Sequence, residues 1–243
     1  MLKLATKFAP RRNNFELAWE AGYRHAEFWL DQRILEEVDE AVSLAHDYPF
    51  GYALHCPNQL DLTPESLQNL ATLYREIDAS CLVIHELQYR KYATELRRLA
   101  PEIVLASENH EFSLDEFSQW ERDYETLTFD IEHLWLFTLN SGPLSELIEH
   151  VRRFFDRSFS RLRHVHLPGY LPGSAEHRPM YCNRDFVFAM FDLLSEYGFE
   201  GLVVSEIELE FQNPHDLLMD RLLFDRWRTR RQGDGFSRDS IRH

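Results

Sequence analysis

The chain has 243 residues, 44% of them hydrophobic and 18 of them phenylalanine, with a formal net charge of −15 at neutral pH. That is ample material for one large core, and the charge repels a nucleic-acid backbone. No run approaches the ~20 apolar residues a membrane span needs. The opening MLKLATKFAPRR lacks an apolar stretch of signal-peptide length, so a soluble, cytoplasmic protein is expected.

In chain order, Lys3–Phe8 reads as a strand, Phe15–Ala21 as a short helix closed by Gly22, and His25–Trp29 as a second strand. Asp31 then caps a long helix with Ile34, Leu35, Val38, Val42 and Ala45 on one face. Phe50–His55 is the third strand. Thr63 and Pro64 open the next helix, with Leu67, Leu70, Leu73 and Ile77 inward. Cys81–His85 is a strand and Arg90–Leu99 a helix stopped by Pro101. Ile103–Glu108 follows, then a helix opened by a Ser113/Glu116 capping box. Leu127–Asp130 is the sixth strand, and Ser141-Gly142-Pro143 opens a helix. Leu162–His166 is the seventh, with a helix over Asp185–Tyr197. Gly201–Glu206 is the eighth, and Asn213-Pro214 starts a last helix running toward Trp227.

Eight strands each followed by a helix imply parallel strands with right-handed crossovers. A mean period of about 28 residues fits a single-domain (β/α)8 TIM barrel, whose site lies at the carboxyl ends of the strands. A doubly wound open sheet is the alternative, but no G-x-G-x-x-G follows the first strand. The barrel is assigned to residues 1–225. Residues 226–243 hold six Arg and two Asp and read as a basic tail, a frayed end or a subunit contact that would permit a homodimer. The rest of the chain carries about −19.

The apolar runs share one oddity: they end in charged or imidazole side chains, at His55, His85, Glu108, Asp130, His166 and Glu206, spaced 22 to 40 residues apart. A buried strand has no use for such a tip unless something waits there. Glu108, Asp130, His166 and Glu206 together make a carboxylate-rich set with one imidazole, suited to Mg²⁺, Mn²⁺ or Co²⁺; further imidazoles would favour Zn²⁺. Each residue alone also has a plainer role. His55 and His85 are compatible with structural histidines, and Asp130 with a helix N-cap. His164, of the same parity as His166, belongs behind it or in deep barrel packing, and Glu132 and Glu208 facing solvent or a helix. Glu27 is open between a substrate contact and a salt bridge. Trp29, Tyr170 and Trp135 suit either a sugar pocket or ordinary packing. The three cysteines form no CxxC, so neither a disulfide framework nor a cysteine zinc site is indicated. Cys81 reads as core, and a ligand role for Cys56 stays open beside His55.

The series SENH, FDIEH, HVHLPG, EHRP and VVSEIE resembles the xylose-isomerase-like superfamily of TIM barrels over about Leu2 to Trp227. That group includes sugar phosphate isomerases and epimerases, hydroxypyruvate isomerase, ketose 3-epimerases and endonuclease IV. In the isomerase branch the resemblance implies one metal on Glu108, Asp130, His166 and Glu206. Glu108 and Glu206 would then be the acid/base pair around a metal-stabilised cis-enediolate of a small sugar, sugar phosphate or hydroxycarbonyl acid. In the endonuclease IV branch, His55, His85, His133 and His177 resemble additional ligands of a multi-zinc site acting on abasic DNA. The aspartate expected two residues before the last histidine is Ala175 here, and the acidic charge is wrong for DNA. The isomerase or epimerase is therefore the leading expectation and the zinc phosphodiesterase the second. A barrel that binds a sugar or partner without catalysis is the third. The loop Leu167–Cys182 reads as a lid, with Arg178 either pairing with a substrate phosphate or carboxylate or simply lying at the surface.

Overall fold

The structure, a computed structural model, describes residues 2–238, with side chains through Arg231. Eight parallel strands close into a barrel in sequence order: β1 (Lys3–Phe8), β2 (His25–Trp29), β3 (Gly51–His55), β4 (Leu82–His85), β5 (Leu105–Glu108), β6 (Leu127–Asp130), β7 (Leu162–His166) and β8 (Leu202–Ser205). β8 closes onto β1 through the pairs Leu4↔Val203 and Thr6↔Ser205. The (β/α)8 expectation holds.

The outer layer begins with α1 (Arg12–Glu20), α2 (Gln32–Glu36), α3 (Val38–Asp47), α4 (Pro64–Glu76) and α5 (Glu86–Leu99). It continues with α6 (Leu114–Asp123); α7 (Ile131–His133) is a single buried turn at the mouth, and α8 (Leu144–Ser158), α9 (Arg184–Glu196) and α10 (Pro214–Arg238) complete the layer. Local chemistry sets their starts. Asp31 accepts the Ile34 N–H, Thr63 accepts the Ser66 N–H, and Ser113 with Glu116 forms the full capping box. The long helix expected after Asp31 is two helices. Glu37 leaves helical geometry (φ −106°, ψ 30°), and the break lets Leu35 and Leu44 both reach the core around a curved wall. α5 starts four residues earlier than its sequence pattern suggests, directly after His85. His85 occupies the N-cap position without capping, because its ring turns into the barrel mouth.

Between strands and helices lies an aromatic-rich core. Phe129 and Phe154 pack at a tilt of 38° with centroids 4.3 Å apart, and Phe15 meets Phe8 and Phe28 edge-on. Truncating a phenylalanine so placed costs about 3–5 kcal/mol. The basic C-terminal segment begins as helix. Trp227 is buried and donates to Asp192 on α9, which Arg230 also pairs. Residues 239–243 lie outside the described residues. No described helix is long and apolar enough to cross a membrane.

Candidate metal centre

Alternation along each strand sends one parity into the lumen. The lumen floor is small and apolar, with Ala5, Ala53, Ala106 and Val204 in one cluster. Two residues further along those same strands stand Lys7, His55, Glu108 and Glu206. The same step leads from Thr128 to Asp130 and from His164 to His166. Small side chains below leave room for a polar layer at the carboxyl ends, where active sites of such barrels lie.

Of four candidate ligand groups among the described residues, one (Glu27, His164 and His166) lies beneath, and the other three are joined by two shared carboxylates. His55, His85 and Glu108 form the first, Glu108, Asp130, His166 and Glu206 the second, and Asp130, His133 and His177 the third. Glu108 turns one oxygen to each neighbour. Its Oε2 lies 3.0 Å from both His55 Nε2 and His85 Nε2, while its Oε1 lies 2.7 Å from His166 Nδ1. Asp130 Oδ2 lies 3.6 Å from His166 Nδ1 and 3.7 Å from His133 Nδ1. Its other oxygen accepts the His133 N–H.

The hydrogen bonds show why protein atoms alone do not satisfy this layer. His55 Nδ1 donates to the Cys56 carbonyl at 2.9 Å, and burial pulls the His55 pKa below its usual value. The neutral ring then points the Nε2 lone pair at a carboxylate oxygen, which a cation between them would reconcile. His166 Nε2 is committed to Glu27 at 2.9 Å. Its Nδ1 therefore faces Glu108 at 2.7 Å and Glu206 at 2.6 Å, with Asp130 behind. One N–H serves one acceptor, and Asp130 Oδ2, Glu206 Oε2 and His177 Nε2 are buried without a hydrogen-bond partner. Buried carboxylates and imidazoles left short of partners in this way fit divalent cations.

Without cations, protons carry the balance. Burial disfavours a charge on His166, but the Glu206, Glu27 and Glu108 carboxylates outweigh it and hold its pKa well above the ordinary value. Against their own burial, Glu108 and Glu206 are held well below the carboxylate range, chiefly by His166. A cation would displace these protons.

Under the ligands lies a supporting layer. Glu27 is fully buried and accepts from His164 Nε2 at 2.5 Å as well as from His166, fixing the face that His166 presents above. Lys7 bridges Glu27 at 3.2 Å and Glu206 at 2.5 Å. Of the two roles open for Glu27 the structure shows the ion pair; the carboxylate is fully buried and is not among the residues lining the cavity. Glu132, expected to face solvent or a helix, is fully buried. Burial pushes its carboxyl up to about 9, and it accepts the His177 backbone N–H. That bond helps hold His177 in the left-handed region (φ 56°), a strained conformation for this residue type. Gly169 pinches the base of the lid loop, donating to the Arg178 carbonyl where a Cβ would strike Pro179. Arg178 sits over the Phe211 ring, 5.4 Å from its centroid, and is not part of the cavity lining.

Over the ligands opens a cavity of about 280 Å³. Trp29, His55, His85, Glu108, His133, His177 and Glu206 all line it, so the expected residues converge, apart from Glu27 and Arg178. Asp130 and His166 lie beneath, fully buried. Tyr170 and Trp135 pack against each other and Trp135 against Phe186, the packing role. Cys56 is buried, and its carbonyl rather than its sulfur serves the site. Sequence reasoning missed Lys7 and His110. Lys7 is two residues beyond Ala5, the step that gives His55 and Glu108 on their strands. His110 faces the cavity between the rings of His85 and His133, with centroids 4.7 and 5.0 Å away.

No family model matches the chain, and no curated protein matches it by sequence. Solved structures do. A D-tagatose 3-epimerase-like protein superposes with a TM-score of 0.67 at 15% identity, over 93% of this chain and 97% of its own. Endonuclease IV from Thermus thermophilus gives 0.67 at 16% identity, over 94% and 99%. A xylose isomerase domain protein from Planctomyces limnophilus gives 0.64 at 13%, over 94% and 96%. The chain has the fold of the xylose-isomerase-like TIM barrels. Likeness at these identities concerns the fold, and it extends equally to an epimerase-like protein and a nuclease.

Proposed function

We propose that this barrel is a multi-metal hydrolase that cleaves a phosphoester of a small substrate. The observation that carries this reading is the sharing of Glu108 and Asp130 among three ligand groups. A single-cation site needs the middle group alone and gives no reason for His55, His85, His133 and His177 to converge on the same two carboxylates. Cations bound there would supply Lewis-acid stabilisation of phosphoryl oxygens and an activated water. The chain's own residues do the rest. Cys56 and Glu27 fix which nitrogens of His55 and His166 face the layer, Lys7 holds Glu206 ionised, and Glu132 holds His177 in place.

Two observations argue for a small substrate rather than DNA. The net charge is −15, and Lys7 is the one lysine or arginine among the described residues lining the cavity. Lys7 is engaged by Glu27 and Glu206.

The isomerase or epimerase, the leading expectation from the sequence, becomes the second reading, favoured because Glu108, Asp130, His166 and Glu206 form a complete four-donor set by themselves. Against it, the two glutamates that would shuttle protons are both engaged, Glu108 by three imidazoles and Glu206 by Lys7. Metal content separates the two. Elemental analysis of zinc- or manganese-replete protein should give two to three ions per chain, following the three groups. His55→Ala should lose one, and Glu108→Gln, which touches two groups, should lose more. The replete protein should release phosphate or alcohol from generic phosphoesters. One ion per chain, unchanged in His55→Ala, together with turnover of a ketose, would establish the second reading instead.

A further inference from the structure

The cavity has two unlike walls. Ligand side chains from β3 to β7, joined by Glu206 just after β8, make one. The ends of β1 and β2 and the segment after Glu206 make the other, with Ala9, Trp29, Ile207 and Leu209. Trp29 lies beside His55 in the strand register, next to the first ligand group. It is 41% exposed and Leu209 is 69% exposed, and both line the cavity. Covering such surface is favourable at roughly 25 cal/mol per Å².

The polar groups among the lining residues on this side are acidic or engaged: Glu208 stands 3.6 Å from His177 Nδ1, and Glu206 is paired with Lys7. The Gln212 amide donates to the Ile207 carbonyl at 3.1 Å. Lys7 is held between Glu27 and Glu206. Hydroxyls laid directly on Trp29, Ile207 and Leu209 would give up water for apolar surface and stay unsatisfied, at a cost of about 1–3 kcal/mol each. A second anionic group would find no cation.

Building on the phosphoester reading, we infer that the substrate's organic part is a flat, uncharged, apolar group, aryl or similarly planar, lying over Trp29 and against Leu209. The phosphoryl group then faces the ligand wall. The inference therefore selects aryl-type phosphoesters over sugar phosphates and over a nucleic-acid backbone.

Calorimetric binding to zinc-loaded protein tests this without relying on turnover. The probes are methylphosphonate, 1-naphthylphosphonate and 2-naphthol, against wild type, Trp29→Ala and Leu209→Ser. Naphthylphosphonate should bind at least about tenfold more tightly than methylphosphonate. Trp29→Ala should erase most of that advantage and leave methylphosphonate affinity unchanged, which also shows that the variant is folded and loaded. Leu209→Ser should erase a smaller part. Equal affinities for the two phosphonates, or equal losses on both in Trp29→Ala, would overturn the inference while leaving the phosphoester reading intact. Binding of 2-naphthol that depends on Trp29, with neither phosphonate bound, would overturn it through its premise, because the phosphoester reading would then have failed.

Discussion

Removing Lys7 probes the charge balance of the whole polar layer. Lys7 is 6% exposed, with its ammonium 2.5 Å from Glu206 and 3.2 Å from Glu27. Burial alone would favour the neutral amine, but Glu206 and Glu27 together hold it protonated, above its ordinary range. Lys7→Met keeps the stem and deletes the charge, leaving two carboxylates with imidazoles alone. Breaking a buried pair from one side costs about 3–5 kcal/mol. A domain of this size loses roughly 2–4 °C per kcal/mol, so the melting temperature should fall by roughly 6–20 °C. Thermal unfolding followed by circular dichroism, in chelator and in saturating zinc, is the assay. The drop should be full in chelator and smaller in zinc, where a cation facing Glu206 replaces part of the lost charge. Adding Glu27→Gln should recover more than about 1 kcal/mol of the chelated loss, since the two sites are coupled. A Lys7→Met protein melting within about 2 °C of wild type in chelator would refute this electrostatic account.

Two further outcomes follow from the same layer. Burial alone would lower the His164 pKa, but Cys81 and Glu27 outweigh it and raise it to about 9. A raised histidine pKa stabilises fully below the unfolded value near 6.5 and loses that contribution as pH climbs through about 9, on the order of 3 kcal/mol in the limit. Urea unfolding of chelated protein at pH 6 and pH 9 should show this loss, with a shallower slope in His164→Gln; identical slopes would sink it. In the third ligand group, Glu176 Oε2 stands 4.0 Å from His133 Nε2. Glu176→Ala should weaken the last metal equivalent in a stepwise titration by about tenfold, the scale of losing a supporting carboxylate, and leave the earlier ones alone.

The fold was legible because its signals are local and repeated. Thr63-Pro64, Ser113 with Glu116, and Asp31 each cap the helix their residue types indicate. The strand tips were legible for a related reason: a buried apolar run ending in His or Glu is an anomaly that sequence alone exposes. Lys7 escaped because β1 already reads as strand, and a lysine in it looks like a solvent-facing residue until closure with β8 brings Glu206 beside it. Glu132 escaped because its partner, the His177 backbone N–H, is 45 residues away on the lid loop. The break at Glu37 has no proline or glycine to announce it and comes from wrapping a curved barrel wall.

The ion pair between Lys7 and Glu27 also bounds the site. The row of shared carboxylates starts at β3 and β4 with His55 and His85 and runs to Asp130, His133 and His177. Toward β1 and β2 the Lys7 ammonium stands between Glu27 and Glu206, and Glu27 with His164 and His166 forms a further group beneath the row. At the other end Ala175 stands where the resemblance expects a carboxylate, so the row tapers toward the lid loop, where Glu176 is the neighbouring acid. On the aryl phosphoester reading, a substrate reaching the ligands lays its remaining part over the ends of β1 and β2 and the segment after β8. That is where Trp29 and Leu209 are exposed, and hence where binding energy independent of the cations is available. On the aryl phosphoester reading, cations and the substrate's organic part take opposite sides of one mouth, with Glu206 and its partner Lys7 where the two meet.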